Sequence, residues 1–426
     1  MEFSIFGPYN LISIIRLKMK KSILLLIALL TFFPMRAQKG DFTYKFYGFV
    51  RGDLFYNSRA NMAPIDGNFY LYPLGKSPDA NGKDLNATPN GSFYTFTSRL
   101  GLDVTGPNVG KARTAAKIET DFGGFSGSHT MLRLRQAYVS LDWGRSDLLV
   151  GVTWHPLFGA VVPDVLNLST GAPYQPFNRS PQLRFRQKFG KAQLSAALVW
   201  QLQYLSNGPM GMSEDYIKNS CVPEGFLGVD VVPSGPWLWG AGVHVISLKP
   251  RISSTLEGET YRVNERMTTF SCEAHLKYQG KNFTFAAKSF WASALDQVAM
   301  LGGYGVSSID PATGEQEYTP FRHSTSWVNL TYGSKWKAAF FLGYTKNLGT
   351  DSPLVSADKV YGMGLDIDQL VTVNVNLSYN LSHWQFGFEY CPATALYGTN
   401  DLATGRVGQT YAVTNHRILG LMMYYF

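Results

Sequence analysis

Hydrophobic and polar residues alternate with period two along almost the whole chain beyond its first forty residues. In Val371–Tyr379, Val371, Val373, Val375, Leu377 and Tyr379 fall on one side, and Thr372, Asn374, Asn376 and Ser378 on the other. The next segment repeats the pattern, with Trp384, Phe386, Phe388 and Tyr390 against His383, Gln385 and Glu389. Likewise Phe270, Cys272, Ala274, Leu276 and Tyr278 oppose Ser271, Glu273, His275 and Lys277. Successive side chains of an extended backbone point to opposite faces, so this periodicity predicts strands. They are expected at 42–57, 93–105, 110–122, 130–143, 146–154, 181–190, 191–203, 225–232, 237–248, 266–279, 281–293, 320–333, 335–346, 367–380, 382–392 and 411–426.

A soluble sandwich would alternate in the same way. The connections separate the two cases. Short ones (Thr105–Gly110, Gly144-Arg145, Gly190, Pro233–Pro236, Gln279-Gly280, Gly333-Ser334, Asn380-Leu381) alternate strictly with long ones at 58–92, 123–129, 155–180, 204–224, 249–265, 294–319, 347–366 and 393–410. Loops segregated by rim belong to a barrel with one rim in the periplasm and the other outside. Most expected strands are long enough to cross a bilayer at a tilt, which takes about 9–11 residues. Only a closed barrel satisfies every backbone group in lipid without helices. The expected fold is all-β: a sixteen-stranded antiparallel transmembrane β-barrel with short periplasmic turns and long extracellular loops. Trp143, Trp237, Trp239, Tyr278, Tyr332, Trp336 and Trp384 sit near strand ends, as interfacial girdles would. The chain closes on Phe426, with Tyr424, Met422 and Ile418 on the same face, as in the terminal strand that barrel-assembly machinery recognises.

The first residues read differently. Lys20-Lys21, an apolar run from Ile23 to Phe33 and Met35-Arg36-Ala37 make a basic region, a hydrophobic region and a small residue at a cut. Residues 1–37 are therefore expected to be a secretory leader, with 38–426 forming the barrel, and Met19 is the more natural initiator. The apolar run is shorter than the about 20 residues a membrane helix needs. The chain carries a formal charge of +8, and the leader holds five basic residues and one acid. The mature barrel is thus near +4, from 8 − (5 − 1). That removes most of the support for nucleic-acid binding. Cys221, Cys272 and Cys391 match neither a disulfide framework nor a metal spacing. Gly302-Gly303-Tyr304-Gly305 is a loop glycine cluster rather than a phosphate cradle, so no cofactor is expected.

Assigning the apolar face to lipid turns the remaining face inward, and that face is basic in the first strands. Arg51, Arg99, Lys117 and Arg135 lie near mid-strand in the first four, Arg184 and Arg186 in the sixth, and Arg417 in the last. Closure places the last strand beside the first, so Arg417, Arg51, Arg99, Lys117 and Arg135 are expected to form one basic wall. Arg113, Arg133 and Lys188 extend it towards the rims. Unpaired arginines in a dry interior would cost several kcal/mol each, whereas a watery lumen leaves a positive field that concentrates anions. The alternative is a wall ladder in which the cations pair with Asp53, Asp103, Glu119 and Asp121. The third long loop, His155–Ser180, carries Val161, Val162, Asp164, Val165 and Leu166 with three prolines. Its apolar content implies that it folds into the barrel and sets Asp164 opposite the basic wall; the alternative is a surface lid.

Several stretches resemble bacterial porins. Ser98-Arg99-Leu100-Gly101-Leu102 is similar to a segment of the general porins. Arg135-Gln136-Ala137-Tyr138-Val139 followed by Leu149-Val150-Gly151 resembles the porin stretch before the constriction loop. Tyr47-Gly48-Phe49-Val50-Arg51-Gly52-Asp53 looks closer to the first strand of the DcaP-like porin family. The resemblance covers the first 155 residues and is architectural afterwards. It implies an outer-membrane homotrimer, an inward third loop, lumen-lining Arg51, Arg99 and Arg135, and passage of small anionic solutes such as dicarboxylates. Family members can carry a periplasmic coiled coil before strand one. Only Gln38–Asp41 stand there, so a trimer would rest on the barrel wall.

Two rival readings remain. His323-Ser324 and Ser326 superficially resemble the His/Ser pairing of outer-membrane phospholipases, without an Asn partner at the expected spacing. A structural or adhesive barrel without an open pore is the other.

Overall fold

The computed structural model describes residues 42–64, 68–124, 131–232 and 235–426. The leader expected at 1–37 and part of the turn expected at Pro233–Pro236 lie outside the described residues. Sixteen long strands form the wall: β1 (Thr43–Asn57), β2 (Arg99–Val109), β3 (Ala112–Asp121), β4 (Arg133–Asp142), β5 (Ser146–Trp154), β6 (Arg179–Phe189), β7 (Ala192–Val199), β8 (Glu224–Val231), β9 (Trp237–Leu248), β10 (Met267–Gln279), β11 (Phe283–Ser293), β12 (Gln316–Gly333), β13 (Trp336–Thr350), β14 (Ile367–Asn380), β15 (Trp384–Asn400) and β16 (Val407–Tyr425). Each pairs antiparallel with the next in the chain. β16 then returns to β1, from Phe49↔Tyr425 to Asn57↔Arg417, so the sheet has no free edge. No described helix is long and apolar enough to cross a membrane, and the crossing is made by strands.

The expected faces are the observed ones. Val375, Leu377, Trp384, Phe386 and Phe388 are exposed on the outer surface, while Thr372, Asn374, Asn376, Ser378 and Glu389 are buried inside. An outer surface of this composition is stable only against lipid. Trp143, Trp237, Trp239, Tyr278, Tyr332, Trp336 and Trp384 all collect at the short-turn rim, joined there by Phe189 and Phe283. Ring contacts link neighbours in this belt: Trp237 with Tyr278 at 4.9 Å, Trp336 with Tyr379 at 4.7 Å and Trp384 with Tyr424 at 4.8 Å.

Local departures have physical causes. The second strand, expected at 93–105, is broken: Asn90–Tyr94 pairs with upper β1, and pairing resumes only at Arg99. Between them the Ser98 hydroxyl donates to Thr95 O and accepts from Arg51 N. β2 then runs on to Val109, so the turn is Gly110-Lys111 rather than Thr105–Gly110. β15 and β16 extend as a hairpin well past the expected 392 and 411, which shortens the eighth loop to 401–406. In β4, two consecutive residues, Arg135 and Gln136, turn inward. The register steps from Glu119↔Gln136 to Thr120↔Leu134 there, a β-bulge that strict alternation cannot anticipate.

Candidate functional site

The lumen is the candidate site, and its basic wall is built together with an acidic partner set. On β1, Arg51 donates through Nε and Nη2 to the wholly buried Asp53, the closest contact being 2.7 Å. Its Nη2 also donates to Leu166 O of the third loop at 2.7 Å. Glu119 of β3 accepts from Arg135 Nε at 2.9 Å, from Gln136 at 3.3 Å and from the Tyr47 hydroxyl at 3.0 Å. Arg99 stands 3.6 Å from the same carboxylate with its guanidinium over the Phe49 ring. Asp121 accepts from Arg133 and from Arg135, each at 2.7 Å. Lys117 reaches Asp103 at 2.8 Å, and Arg186 of β6 reaches Asp147 at 2.8 Å. Arg417 donates to Asn57 Oδ1 at 3.1 Å and lies over the Phe55 ring. Arg113 pairs with Asp142 at the periplasmic rim, away from the rest.

The row of cations expected across β16 and β1–β4 is therefore present, and the expected alternative, local pairing, holds for most of it. Pairing is incomplete. Leaving aside Lys45, Arg113, Asp142 and Lys188 at the periplasmic rim, the inner face of β1–β6 and β16 sets Arg51, Arg99, Lys117, Arg133, Arg135, Arg179, Arg184, Arg186 and Arg417 against Asp53, Asp103, Glu119, Asp121 and Asp147, nine cations to five carboxylates. Arg184 forms no ion pair among the described residues, and its buried Nε has no hydrogen-bond partner. Among the described residues Arg179 has no hydrogen bond from its guanidinium either, and it lies against the rings of Trp154 and Phe177.

The third loop folds into the barrel. Leu166 packs against Phe55, Leu419, Leu421 and Met423 on the inner face of β1 and β16, and Val161, Tyr174 and Phe177 join a buried cluster with Trp327 and Phe341. Each such side chain, fully buried, contributes about 1.5–3 kcal/mol. Two inward glycines form its sockets: a Cβ on Gly343 would meet the Tyr174 ring at 2.4 Å, and one on Gly387 would meet Leu166 Cδ1 at 2.4 Å. Hydrogen bonds complete the docking. Glu389 Oε2 accepts from the backbone N–H of Leu166 and Asn167 at 2.6 and 3.2 Å, Tyr174 bonds Thr372, and Trp327 donates to Gln175. Asp164 does not face the basic wall. Its carboxylate pairs with Lys337 of β13 at 2.6 Å, and its backbone bonds Asn329 and Asn376, because the loop crosses the lumen and docks on the far strands. Phe69, Leu71 and Tyr72 of the first loop fill the same cluster.

The root of the third loop holds a buried cluster that no spacing in the sequence reveals. His155 Nε2 and His244 Nε2 lie 3.1 and 2.8 Å from Glu224 Oε2, and Gln201 donates to Oε1. The donor atoms of His155, Glu224 and His244 lie within 4.8 Å of one another, a spacing compatible with a metal ion. However, Leu157 N–H donates to His155 Nδ1 at 3.2 Å, which places the imidazole proton on Nε2 and removes that atom as a metal ligand. The arrangement is a proton-filled clamp. Burial pushes the His155 imidazole below its ordinary value of 6.5, against the opposing pull of Glu224. A depressed basic group resists protonation in the folded state, so its contribution is present above about 6.5 and is lost as pH falls below that. Protection of the Leu157 amide against hydrogen exchange, corrected for intrinsic rate, should therefore drop between pH 7 and pH 5. Unchanged protection would show that the clamp does not hold the loop.

The phospholipase-like pairing fails on geometry. His323 points inward and is wholly buried, while Ser324 and Ser326 project from the opposite, outer face, where Ser326 bonds Ser289.

A closed sixteen-stranded barrel with an apolar outer belt, a polar and charged lumen and an inward third loop has the architecture of outer-membrane porins. Solved structures agree. The chain is similar to the outer membrane channel DcaP of Acinetobacter baumannii, with 18% identity, a TM-score of 0.66, and 92% of this chain and 100% of that one covered. It is also similar to OmpT, an outer membrane protein of Vibrio cholerae, in its in-vitro folded form (13% identity, TM-score 0.55, 92% and 100% covered). The trimer form of that protein matches with 13% identity and a TM-score of 0.52, with 91% and 100% covered. No family model and no curated protein matches.

Proposed function

We propose that this chain is a non-enzymatic channel through which small hydrophilic solutes cross the outer membrane by diffusion, with a preference for anions. The observation that carries this reading is the cation surplus on the inner face of β1–β6 and β16. Arg99, Lys117, Arg184 and Arg186 each keep part of their surface open on that face. Fixed charge at a narrow point raises the local concentration of the opposite ion. The third loop docks on β1 and β11–β16, so it narrows the lumen towards the strands that carry this charge. The DcaP channel supplies an analogy for solute passage, and the trimer form of OmpT one for a homotrimer. Export by the leader at 1–37 belongs to the same reading.

A structural barrel without an open pore draws on one observation, the apolar cluster that loops one and three place in the upper lumen. Reconstitution of the purified barrel in planar bilayers separates the two. Discrete conductance steps are expected. A barrel that inserts and folds but gives no steps would favour the structural reading.

A further inference from the structure

We propose that the periplasmic half of the lumen holds a seat for a small zwitterion, with its carboxylate on Arg184 and its ammonium on Asp230. The inference rests on reading the lumen as a solute passage. A cavity of about 310 Å³ lies beneath the root of the third loop, lined on one side by Arg184 and Arg186 of β6 and on the other by Asp230, Glu273 and His275. Pro156, Phe158, Gly159 and Ala160 also line it, from the loop itself.

The two poles differ in how much of their bonding capacity is used. Arg186 is spent on Asp147, which accepts from its Nε at 2.8 and 3.0 Å. Arg184, two residues earlier on the same face, has no ion pair and a buried Nε without a partner among the described residues. A guanidinium in that state offers a planar fork of donors matched to a carboxylate, and pairing recovers much of the cost of drawing it out of water. Across the cavity, Glu273 is spent on His275 Nδ1 at 3.0 and 3.2 Å and on Lys288 Nζ at 3.9 Å. Asp230 uses only Oδ1, which lies 2.9 Å from His275 Nε2. Its Oδ2 has no hydrogen bond among the described residues, and the side chain is 25% exposed. Gln193 and Ser195 of β7 stand between the poles as neutral hydrogen-bonding groups.

This layout selects against a second negative charge. A dicarboxylate that docks one end on Arg184 brings the other towards the open oxygen of Asp230, whereas an ammonium there is attracted.

Isothermal titration of the full-length barrel in detergent tests the seat, with L-alanine, acetate, ethylammonium and succinate as probes. Wild-type protein should bind L-alanine at least about tenfold more tightly than acetate or ethylammonium, since each lacks one charged hydrogen-bonded contact. Arg184→Gln and Asp230→Asn should each weaken L-alanine by about tenfold or more, and Arg184→Lys should lose less than Arg184→Gln. Succinate binding as tightly as L-alanine would overturn the proposal in favour of a plain anion seat. Equal L-alanine binding by wild type and Arg184→Gln would overturn it outright. The wild-type comparison of probes needs no variant to fold. A barrel that conducts but gives no L-alanine heat loses the seat and keeps the channel. One that binds L-alanine without conducting keeps the seat and loses the channel.

Discussion

Replacing Arg51 with Ala is expected to destabilise the barrel by about 3–5 kcal/mol, the cost of stranding a buried charge. Asp53 is wholly buried, and Arg51 is the only cation that pairs with it among the described residues. The Asn68 and Thr97 side chains reach it only at 3.4 and 3.3 Å. The same change removes the donor to Leu166 O and loosens the third loop from β1. Asp53→Ala in the same chain should recover most of the loss, because no carboxylate is then left unpaired, so the double-mutant cycle should show strong coupling. Denaturant unfolding in detergent measures it. A single-mutant cost within about 0.5 kcal/mol, the range of ordinary surface changes, would mean that water reaches the pair freely. Arg51, which sequence reasoning places in an anion-attracting wall, is in the structure chiefly a rung that ties β1 to the third loop.

The second large effect concerns the cations that keep lumenal surface. Arg99 and Arg184 replaced together by Ser should bring the anion-to-cation permeability ratio towards unity. Neither packs on lipid, and Arg184 has no carboxylate partner to strand. The difference from wild type should be large at 0.1 M salt, where the screening length is about 10 Å, and small at 1 M, where it is about 3 Å. Bilayer reversal potentials at both ionic strengths check this. Unchanged selectivity at low salt would assign the surplus charge a purely structural role.

Much of this architecture is legible in the sequence because the bilayer imposes a strict rule. One face must be apolar, strands must be long enough, and loops must segregate by rim, as Val371–Tyr379 and the turn at Gly333-Ser334 illustrate. Legibility fails where another segment replaces water inside the barrel. Leu419, Leu421 and Met423 of β16 are apolar on the inner face, beside apolar Ile418, Met422 and Tyr424 outside, because Leu166 covers them. Trp327 and Phe341 belong inward for the same reason. The inward third loop was legible from Val161, Val162, Val165 and Leu166, but its docking wall was not. Lys337, Thr372 and Glu389 are ordinary inward polar residues until the loop arrives. The same holds for the clamp, since His155, Glu224 and His244 are distant in sequence and meet only through the register of β5, β8 and β9. The bulge at Arg135 and Gln136 hides for a different reason: one extra residue flips the parity on which the reading depends.

The reversal potential of the wild-type channel in a salt gradient reads the sign of the lumenal charge. With potassium chloride concentrated on one side of the bilayer at modest ionic strength, the surplus of inward cations on β1–β6 and β16, nine against five carboxylates above the periplasmic rim, predicts a potential of the sign set by chloride diffusion. A potential of the sign set by potassium would rule out an anion-attracting lumen.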